Sequence, residues 1–334
     1  MKTIKGNLIL ILIFCFVSTV LKAKNIRPCQ LYKFKELKKI NSSQQKIGKW
    51  LFTIIKRDLE LNIDRQEKVV VMEKLLNLPQ SAMNLDEDIV WFSPRGKGIH
   101  LYHNDIIGVG LNKTDNGINF VSLFDLDRGI ELLNRSNTSI FKLMISIGKD
   151  TIRLDNESSW KKTEIKWDKN EKLSLLTLNF KDAKDSKLNG LSVVCEVEFH
   201  NNLTYWGLET KLPEKGLSLL ETEFPSIKAG PIGQVPEENV LHYPKASGIA
   251  SQSPYTKDIN YSELYPNWRA TYQMLGLYNK QGGLYIASHD PTGSVKKIST
   301  STDDQKVNFQ FNWPAPNMGT VSYTHLTLPT TKNV

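Results

Sequence analysis

The sequence predicts an all-β protein, an antiparallel β super-sandwich that follows a short, partly helical N-terminal extension. Three observations support this prediction. Apolar and polar residues alternate with a period of two from about residue 99 onward. Clusters of Gly, Asn, Asp and Lys separate the alternating runs, as turns do. No stretch with helical periodicity lies between these runs, which argues against strands and helices alternating around a parallel sheet.

Residues 1–23 have the layout of a secretory signal peptide. Lys2 and Lys5 give a basic start, residues 8–20 are almost wholly apolar, and Ala23 supplies a small residue before a cleavage position. The apolar stretch is shorter than the roughly 20 residues of a membrane-spanning helix, and an uncleaved anchor is the alternative. We therefore expect a secreted or periplasmic protein with no membrane attachment after the signal is cleaved.

Residues 24–98 form the predicted extension, and they hold most of the positive charge. The formal net charge is +8, and residues 24–74 contain 13 Lys and Arg against 6 Asp and Glu, so the chain beyond them is slightly acidic. A nucleic-acid partner needs a basic face on the folded domain, so we expect no nucleic-acid binding. Helical segments are expected within 44–78, ending before Pro79.

In the clearest predicted strand, 191–199, alternate residues share one face: Leu191, Val193, Cys195, Val197 and Phe199. We expect this face to be buried and Glu196 and Glu198 to point outward. Cys195 is then interpreted as an inert thiol. A disulfide bridge to Cys29 stays open, because geometry decides it.

Further strands are predicted by the same alternation at 106–111, 117–124, 141–147, 163–167, 173–180, 203–209, 217–223, 272–279, 283–288 and 306–311. In 173–180, Leu175 and Leu178 share a face only with a bulge near Leu176. Residues 224–271, rich in Pro, Ser and Tyr, are expected to form long loops. Residues 321–334 resemble translated sequencing adapter at the end of metagenomic open reading frames. We therefore expect a non-native tail there, with the sandwich domain over 99–320.

Two motifs rich in His or Asp are interpreted as structural. His100 and His103 lie three residues apart in a predicted strand, so their side chains point to opposite faces and a shared metal is not expected. The motif at 125–129 alternates acids but lacks further oxygen ligands at loop spacing, which favours a turn over a calcium site. The sequence therefore predicts no metal and no cofactor.

Two segments hold the candidate site residues. In 261–269, Tyr265, Trp268 and Arg269 combine aromatic platforms with a fixed polar group, as sugar binding requires, and packing between loops or domains is the equal alternative. In 282–293, a predicted strand ends at His289 and Asp290, which are able to orient a hydroxyl or transfer a proton. The alternative there, an Asp290 carboxylate accepting backbone N–H groups in a turn, is favoured.

Residues 274–293, Met-Leu-Gly-Leu-Tyr-Asn-Lys-Gln-Gly-Gly-Leu-Tyr-Ile-Ala-Ser-His-Asp-Pro-Thr-Gly, resemble a stretch from a family of secreted glycoside-hydrolase-like proteins. Residues 104–112 and 117–133 are similar to the opening of that family's domain, and the resemblance covers roughly 100–320. In that family, as in endo-α-N-acetylgalactosaminidases, a β super-sandwich of the galactose-mutarotase type precedes a TIM-barrel glycosidase domain. No established catalytic residue of the family maps onto this chain.

The resemblance implies that the chain is the N-terminal accessory sandwich of a secreted glycoside hydrolase acting on poly- or oligosaccharide. A TIM barrel takes ~250 residues, so the catalytic barrel and its paired carboxylates are expected to be missing from this fragment, which is then inactive by itself. The alternatives are a stand-alone carbohydrate-binding or cell-surface module and an aldose mutarotase. A mutarotase would need His200 or His289 to face a Glu across a concave pocket.

The five candidate residues come from segments close in sequence, so we expect them to converge on one edge of the sandwich, where carbohydrate or the catalytic barrel would contact Tyr265, Trp268, Arg269, His289 and Asp290.

Overall fold

The computed structural model describes side chains over 99–133, 139–169, 173–213, 216–233, 235–303 and 306–314, and further backbone strands at 83–84, 89–92 and 320–329. The expected signal peptide, the expected helices within 44–78 and Cys29 lie outside the described residues. All strand pairs in the described part of the chain are antiparallel, and they form three sheets. The described residues contain short 3-10 turns at Ser186–Leu188, Pro236–Glu238 and Pro254–Thr256.

The first sheet is a meander in which neighbours in sequence are neighbours in space. Its six strands are β1 (Met83–Asn84), β2 (Ile89–Phe92), β3 (Ile99–His103), β4 (Ile107–Lys113), β5 (Ile118–Asp125) and β6 (Ile130–Glu131). Strands β1 and β2 precede residue 99; β1 pairs with β2, and β2 pairs with β3. The sheet therefore begins within the stretch that the sequence assigned to the extension.

The second sheet has nine strands, in the spatial order β15-β14-β17-β18-β21-β12-β11-β10-β9. Its strands are β9 (Trp160–Lys169), β10 (Ser174–Ala183), β11 (Ser192–His200), β12 (Leu203–Lys211), β14 (Val240–Tyr243), β15 (Ile249–Gln252), β17 (Met274–Tyr278), β18 (Gly283–Ser288) and β21 (Thr320–Pro329). Strand β21 pairs with β12 along eight residues and with β18 at two. That the tail over 321–334 is non-native stays a prediction.

The third sheet has six strands in the order β16-β19-β20-β13-β7-β8. They are β7 (Lys142–Ile147), β8 (Asp150–Asp155), β13 (Leu217–Ala229), β16 (Asn260–Tyr265), β19 (Lys296–Asp303) and β20 (Lys306–Pro314). Strand β16 lies at the edge and pairs with β19 over its whole length. This edge carries the first group of candidate site residues.

One apolar core joins the three sheets. Phe141, beside β7, packs on Phe180 of β10 with ring centroids 5.1 Å apart, and Trp160 of β9 lies 5.5 Å from the same ring. Burial of these large side chains removes apolar area from water in the space between the sheets, which drives sandwich formation. The predicted antiparallel all-β sandwich is confirmed.

Strand β11 confirms the predicted alternation in detail. The five residues of its apolar face, including Cys195 and Val197, are buried, Glu196 is exposed and Glu198 is half-buried on the opposite face. Burial, reinforced by the charge of Glu196, raises the pKa of the Cys195 thiol far above its ordinary value. Cys195 is therefore buried, as predicted, and little of it is in the reactive thiolate form, while its pairing with Cys29 stays open.

Two sequence expectations about strands are wrong. The stretch 224–271 contains β14, β15 and β16 and the end of β13, because proline-punctuated segments of four to six residues still pair as strands. The bulge near Leu176 is absent within 174–181, where β10 pairs without a register shift on both sides. Its buried face is Ser174, Leu176, Leu178 and Phe180, and Leu175 lies on the other face.

Candidate functional site

Asp290 organises the turn that follows β18. Its Oδ1 accepts hydrogen bonds from the Thr292 backbone N–H at 2.9 Å and the Thr292 hydroxyl at 2.6 Å. Its Oδ2 accepts from the Ser294 backbone N–H at 2.7 Å and from Lys296 Nζ at 2.9 Å. Burial acts to raise the pKa of this carboxyl, but the hydrogen bonds from Thr292, Lys296 and Ser294 outweigh burial, so the pKa lies well below its ordinary value. Asp290 makes the turn contacts that the alternative interpretation described.

Lys296, the first residue of β19, is the cation at the centre of a buried group that we call the Lys296 cluster. Its ammonium donates to Asp290 and to Gln273, and it lies 4.4 Å from the ring centroid of Trp313 and 5.1 Å from that of Tyr265. The side chain is 0% exposed. Burial lowers the pKa of the Lys296 ammonium, and the Asp290 carboxylate opposes that shift. A buried charge of this kind persists because an anion, an amide and two aromatic faces replace its water.

The sequence did not single out Lys296, although one signal was present. Lys296, Ile298 and Thr300 alternate along β19, and all three are buried. A Lys on the inward face of a strand needs a partner, and Asp290 lies six residues earlier.

A second group lies on the turn at residues 266–270, directly after β16, which we call the Trp268 turn. The Asn267 and Ala270 backbones are paired, with N···O distances of 3.2 and 3.0 Å. Asn267 Oδ1 also accepts from the Arg269 N–H at 2.6 Å and the Ala270 N–H at 3.1 Å, while Asn267 Nδ2 donates to Leu264 O. Tyr261, buried in β16, donates its hydroxyl to Arg269 O at 2.6 Å. These bonds fix the turn to the edge of the third sheet.

The Trp268 turn presents an aromatic ring and a guanidinium to solvent. Trp268 is 67% exposed, the largest exposure among the large hydrophobic side chains that the structure describes. The guanidinium carbon of Arg269 lies 4.8 Å from the Trp268 ring centroid. Arg269 Nη1 donates to Glu263 Oε1 at 3.3 Å, and the Arg269 side chain is 51% exposed. The arrangement is a cation–π pair on a rigid turn, open to a ligand.

His289 lies in other surroundings. It is exposed, and its ring centroid is 6.5 Å from that of Tyr205 in β12. Tyr205 also contacts His200 edge-on at 5.1 Å. His200 Nε2 lies 3.1 Å from Glu198 Oε2, two residues away on the same strand, and both side chains are 47% exposed. The two groups bind each other side by side on the sheet surface, which is not the pair facing across a concave pocket that a mutarotase would need.

The structure therefore divides the five predicted residues into three groups. Tyr265 and Asp290 meet through Lys296. Trp268 and Arg269 meet each other. His289 contacts Tyr205 of the nine-stranded sheet. Whether all five share one ligand site stays a prediction.

The remaining motifs have structural partners. His103 is buried and its Nδ1 accepts the Asp105 N–H at 3.2 Å, while His100 lies beside Tyr102 on the other face of β3. Asp125 accepts the Arg128 N–H at 2.9 Å and pairs with its guanidinium at 2.6 Å, so the motif forms a turn. Within the described ranges, His, Cys, Asp and Glu form no group of three able to hold a metal. The same residues include no helix with the length and apolar character needed to span a bilayer.

Comparison with known proteins gives structural neighbours only. No protein-family model matches the chain, and no curated protein matches it. It is similar to a galactose mutarotase-like protein from Clostridium acetobutylicum, with 8% identity, a TM-score of 0.49 and coverage of 71% of this chain and 96% of that one. It is also similar to a putative aldose 1-epimerase from Klebsiella pneumoniae, with 11% identity and a TM-score of 0.49. That match covers 73% of this chain and 84% of the other.

A third neighbour is an α-N-acetylgalactosaminidase from Bifidobacterium bifidum, at 5% identity and a TM-score of 0.45, with coverage of 72% of this chain and 35% of that one. Identities and TM-scores at this level assign no activity to the chain. The antiparallel sandwich is established by the strand pairing itself.

Proposed function

We propose that this chain is a carbohydrate-binding accessory β-sandwich of a secreted or periplasmic glycoside hydrolase that acts on poly- or oligosaccharide. The observation that carries the proposal is the Trp268 turn, where a ring 67% exposed is held on a hydrogen-bonded turn beside a cation. An exposed aromatic face on a fixed turn suits the C–H face of a sugar ring. The sequence resemblance of residues 274–293 to secreted glycoside-hydrolase-like proteins supports the same conclusion.

The proposal gives the sandwich a binding role and leaves catalysis to a separate barrel domain. Asp290 is the carboxylate that the sequence made a candidate for proton transfer. It accepts hydrogen bonds from Thr292, Ser294 and Lys296, and these bonds hold its pKa well below the range of a general acid or base near neutral pH. Its contacts support the fold of the turn.

The test is titration of the full chain with a panel of oligosaccharides, measured by calorimetry. We expect Trp268→Ala to weaken the binding of a recognised sugar about tenfold, because aromatic stacking contributes about 1 kcal/mol or more. Tyr278→Ala is the matched control, since Tyr278 is a 41% exposed aromatic at the end of β17. The Tyr278→Ala variant should bind the sugar with the same affinity as the unmodified chain. Sugar binding that is unchanged in Trp268→Ala, or no sugar binding at all, would contradict the proposal.

A further inference from the structure

The Trp268 turn carries more than an aromatic platform, and its charge points to a narrower ligand class. We infer that the sugar bound there carries an anionic group, a carboxylate or a sulfate ester, and that Arg269 binds this group while Trp268 stacks on the ring. This inference rests on the proposed function and specifies its substrate class.

Arg269 is pre-organised for this task. Its backbone N–H donates to Asn267 Oδ1 at 2.6 Å, and its carbonyl accepts the Tyr261 hydroxyl at 2.6 Å. Its guanidinium lies 4.8 Å from the centroid of the Trp268 ring, which holds it on one side of that ring. Trp268 is still 67% exposed, so much of its ring stays open to solvent beside the guanidinium. A sugar on the exposed part of the ring reaches the guanidinium through a substituent that extends past the ring edge.

A guanidinium is the side chain best matched to a planar or tetrahedral anion, because its N–H donors form a fixed fork. A neutral sugar offers only hydroxyls, and amide or hydroxyl side chains of a protein bind those as well as a guanidinium does. The Arg269 side chain is 51% exposed, so an incoming anion reaches it without rearrangement of the turn. The residue type and its exposure therefore favour a charged ligand.

Glu263 is the carboxylate partner of Arg269 in the free protein. The Nη1···Oε1 distance of 3.3 Å is longer than the ~2.7–2.9 Å of a strong charge-assisted bond. Because both side chains reach solvent, a pair of this kind contributes little to stability. A ligand anion therefore competes with Glu263, or binds the donors that Glu263 leaves, at little cost.

The sequence segment that contains the Trp268 turn is also more basic than the chain around it. Residues 240–300 contain six Lys or Arg against three Asp or Glu, whereas the chain beyond residue 74 as a whole is slightly acidic. One of those acids, Asp290, is paired with buried Lys296. Exposed Lys297 lies opposite Leu264 in the strand pair that leads into the Trp268 turn. The Lys297 ammonium on this strand pair adds to the attraction that Arg269 exerts on an anionic ligand.

The experiment compares three oligosaccharide series with the same backbone length: neutral, uronate-containing and sulfated. The full chain is titrated with each series at low and at physiological ionic strength. We expect at least one anionic series to bind about tenfold more tightly than the neutral one, because hydrogen bonds between a guanidinium and an anion are stronger than those between neutral groups. The preference should shrink as salt rises. Which anionic series binds more tightly decides between carboxylate and sulfate.

Three variants separate the roles of the residues, and their thermal unfolding checks that each is folded. Arg269→Gln should remove the preference for anionic sugars, so that its affinities for the neutral and the anionic series become equal. Arg269→Lys should keep part of the preference, because the charge remains and the fork is lost. Glu263→Gln removes the competing carboxylate, so affinity for the anionic series should rise a few-fold while affinity for the neutral series stays unchanged.

The outcomes distinguish this inference from the proposal beneath it. Equal affinity for neutral and anionic series, or an anionic preference that survives Arg269→Gln, overturns the inference and leaves carbohydrate binding standing. Absence of binding to every series overturns both. Should Arg269→Gln fail to fold, an anionic affinity that does not rise in Glu263→Gln overturns the inference by itself.

Discussion

The Lys296 cluster includes Tyr265, the last residue of β16, and the Trp268 turn begins at the next residue. Both groups place a cation beside an aromatic ring and a carboxylate. They differ in access to water: the Lys296 side chain is 0% exposed, and that of Arg269 is 51% exposed. The same three residue types therefore serve opposite purposes. Where they are buried and fully partnered they stabilise the fold, and where they are exposed they are available to a ligand.

The two groups should also differ in energy. Removing one partner of a buried pair leaves the other charge without water or counter-ion, which costs about 3–5 kcal/mol. Removing one partner of an exposed pair returns the other to solvent, which costs about 0–1 kcal/mol. Substitutions in the two groups therefore test whether burial separates their roles.

Lys296→Met should have the largest effect. Methionine fills a similar volume but leaves the Asp290 carboxylate, 12% exposed, without its cation. We expect the free energy of unfolding to fall by about 3–5 kcal/mol in chemical denaturation. Lys297→Met, at the exposed neighbouring position, is the control and should change it by less than ~0.5 kcal/mol. Equal effects of the two substitutions would show that burial of Lys296 does not set its role.

Asp290→Asn should have an intermediate effect. The amide oxygen still accepts from Thr292, and Lys296 keeps Gln273 and two aromatic faces as partners once the carboxylate is lost. We therefore expect a loss of about 2 kcal/mol at neutral pH, less than for a buried charge left without partners. The pKa of Asp290 is lower in the folded chain than its ordinary value of 3.8. The carboxylate therefore stabilises the fold fully above that ordinary value, and this contribution is lost as the pH falls towards the lowered pKa.

The pH dependence gives this prediction a second measurement. Unfolding free energies of Asp290→Asn and the unmodified chain should differ by a constant amount above about pH 5 and converge as the pH falls below about 4. A difference that stays constant down to pH 2 would mean that the carboxyl does not titrate with folding. The Lys296 cluster would then owe its stability to packing.

Trp268→Ala should have the smallest effect on stability. The ring is 67% exposed and contacts Arg269, so its loss should change the free energy of unfolding by less than ~0.5 kcal/mol. The same substitution is the one expected to weaken sugar binding about tenfold. A stability loss above ~2 kcal/mol would instead make Trp268 a packing residue and reduce the difference between the two groups.

Alternation predicts the strands whose inward positions are apolar. The buried face of β11, with Cys195 and Val197, is such a case, because every inward position is apolar and most outward positions are polar. Strand β19 was not predicted, since two of its inward positions hold Lys296 and Thr300. The edge strand β8 was not predicted either, because half of its six residues are charged. Strands that bury polar groups or lie at an edge weaken the alternation on which such prediction depends.

The sequence was enough to select the residues of the candidate site, but not to predict which of them contact one another. Trp268 and Arg269 were selected together because they are neighbours, and the structure places them in contact. The role of Asp290 depends on Lys296, whose contact with Tyr265 arises from the pairing of β16 with β19. Such pairing is a property of the folded sheet, so no local pattern reveals it.

The burial of Lys296 also allows local unfolding around it to be measured by chemical labelling of its amine. Amine-reactive reagents modify lysines that solvent reaches. Among the lysines that the structure describes, Lys296 is the one that is fully buried. Its neighbour Lys297 is exposed. A short labelling pulse read by mass spectrometry should mark Lys297 at once and Lys296 only in molecules whose Asp290 turn has come away. The ratio of the two labels on one peptide then counts those openings in the folded protein, without any engineered probe.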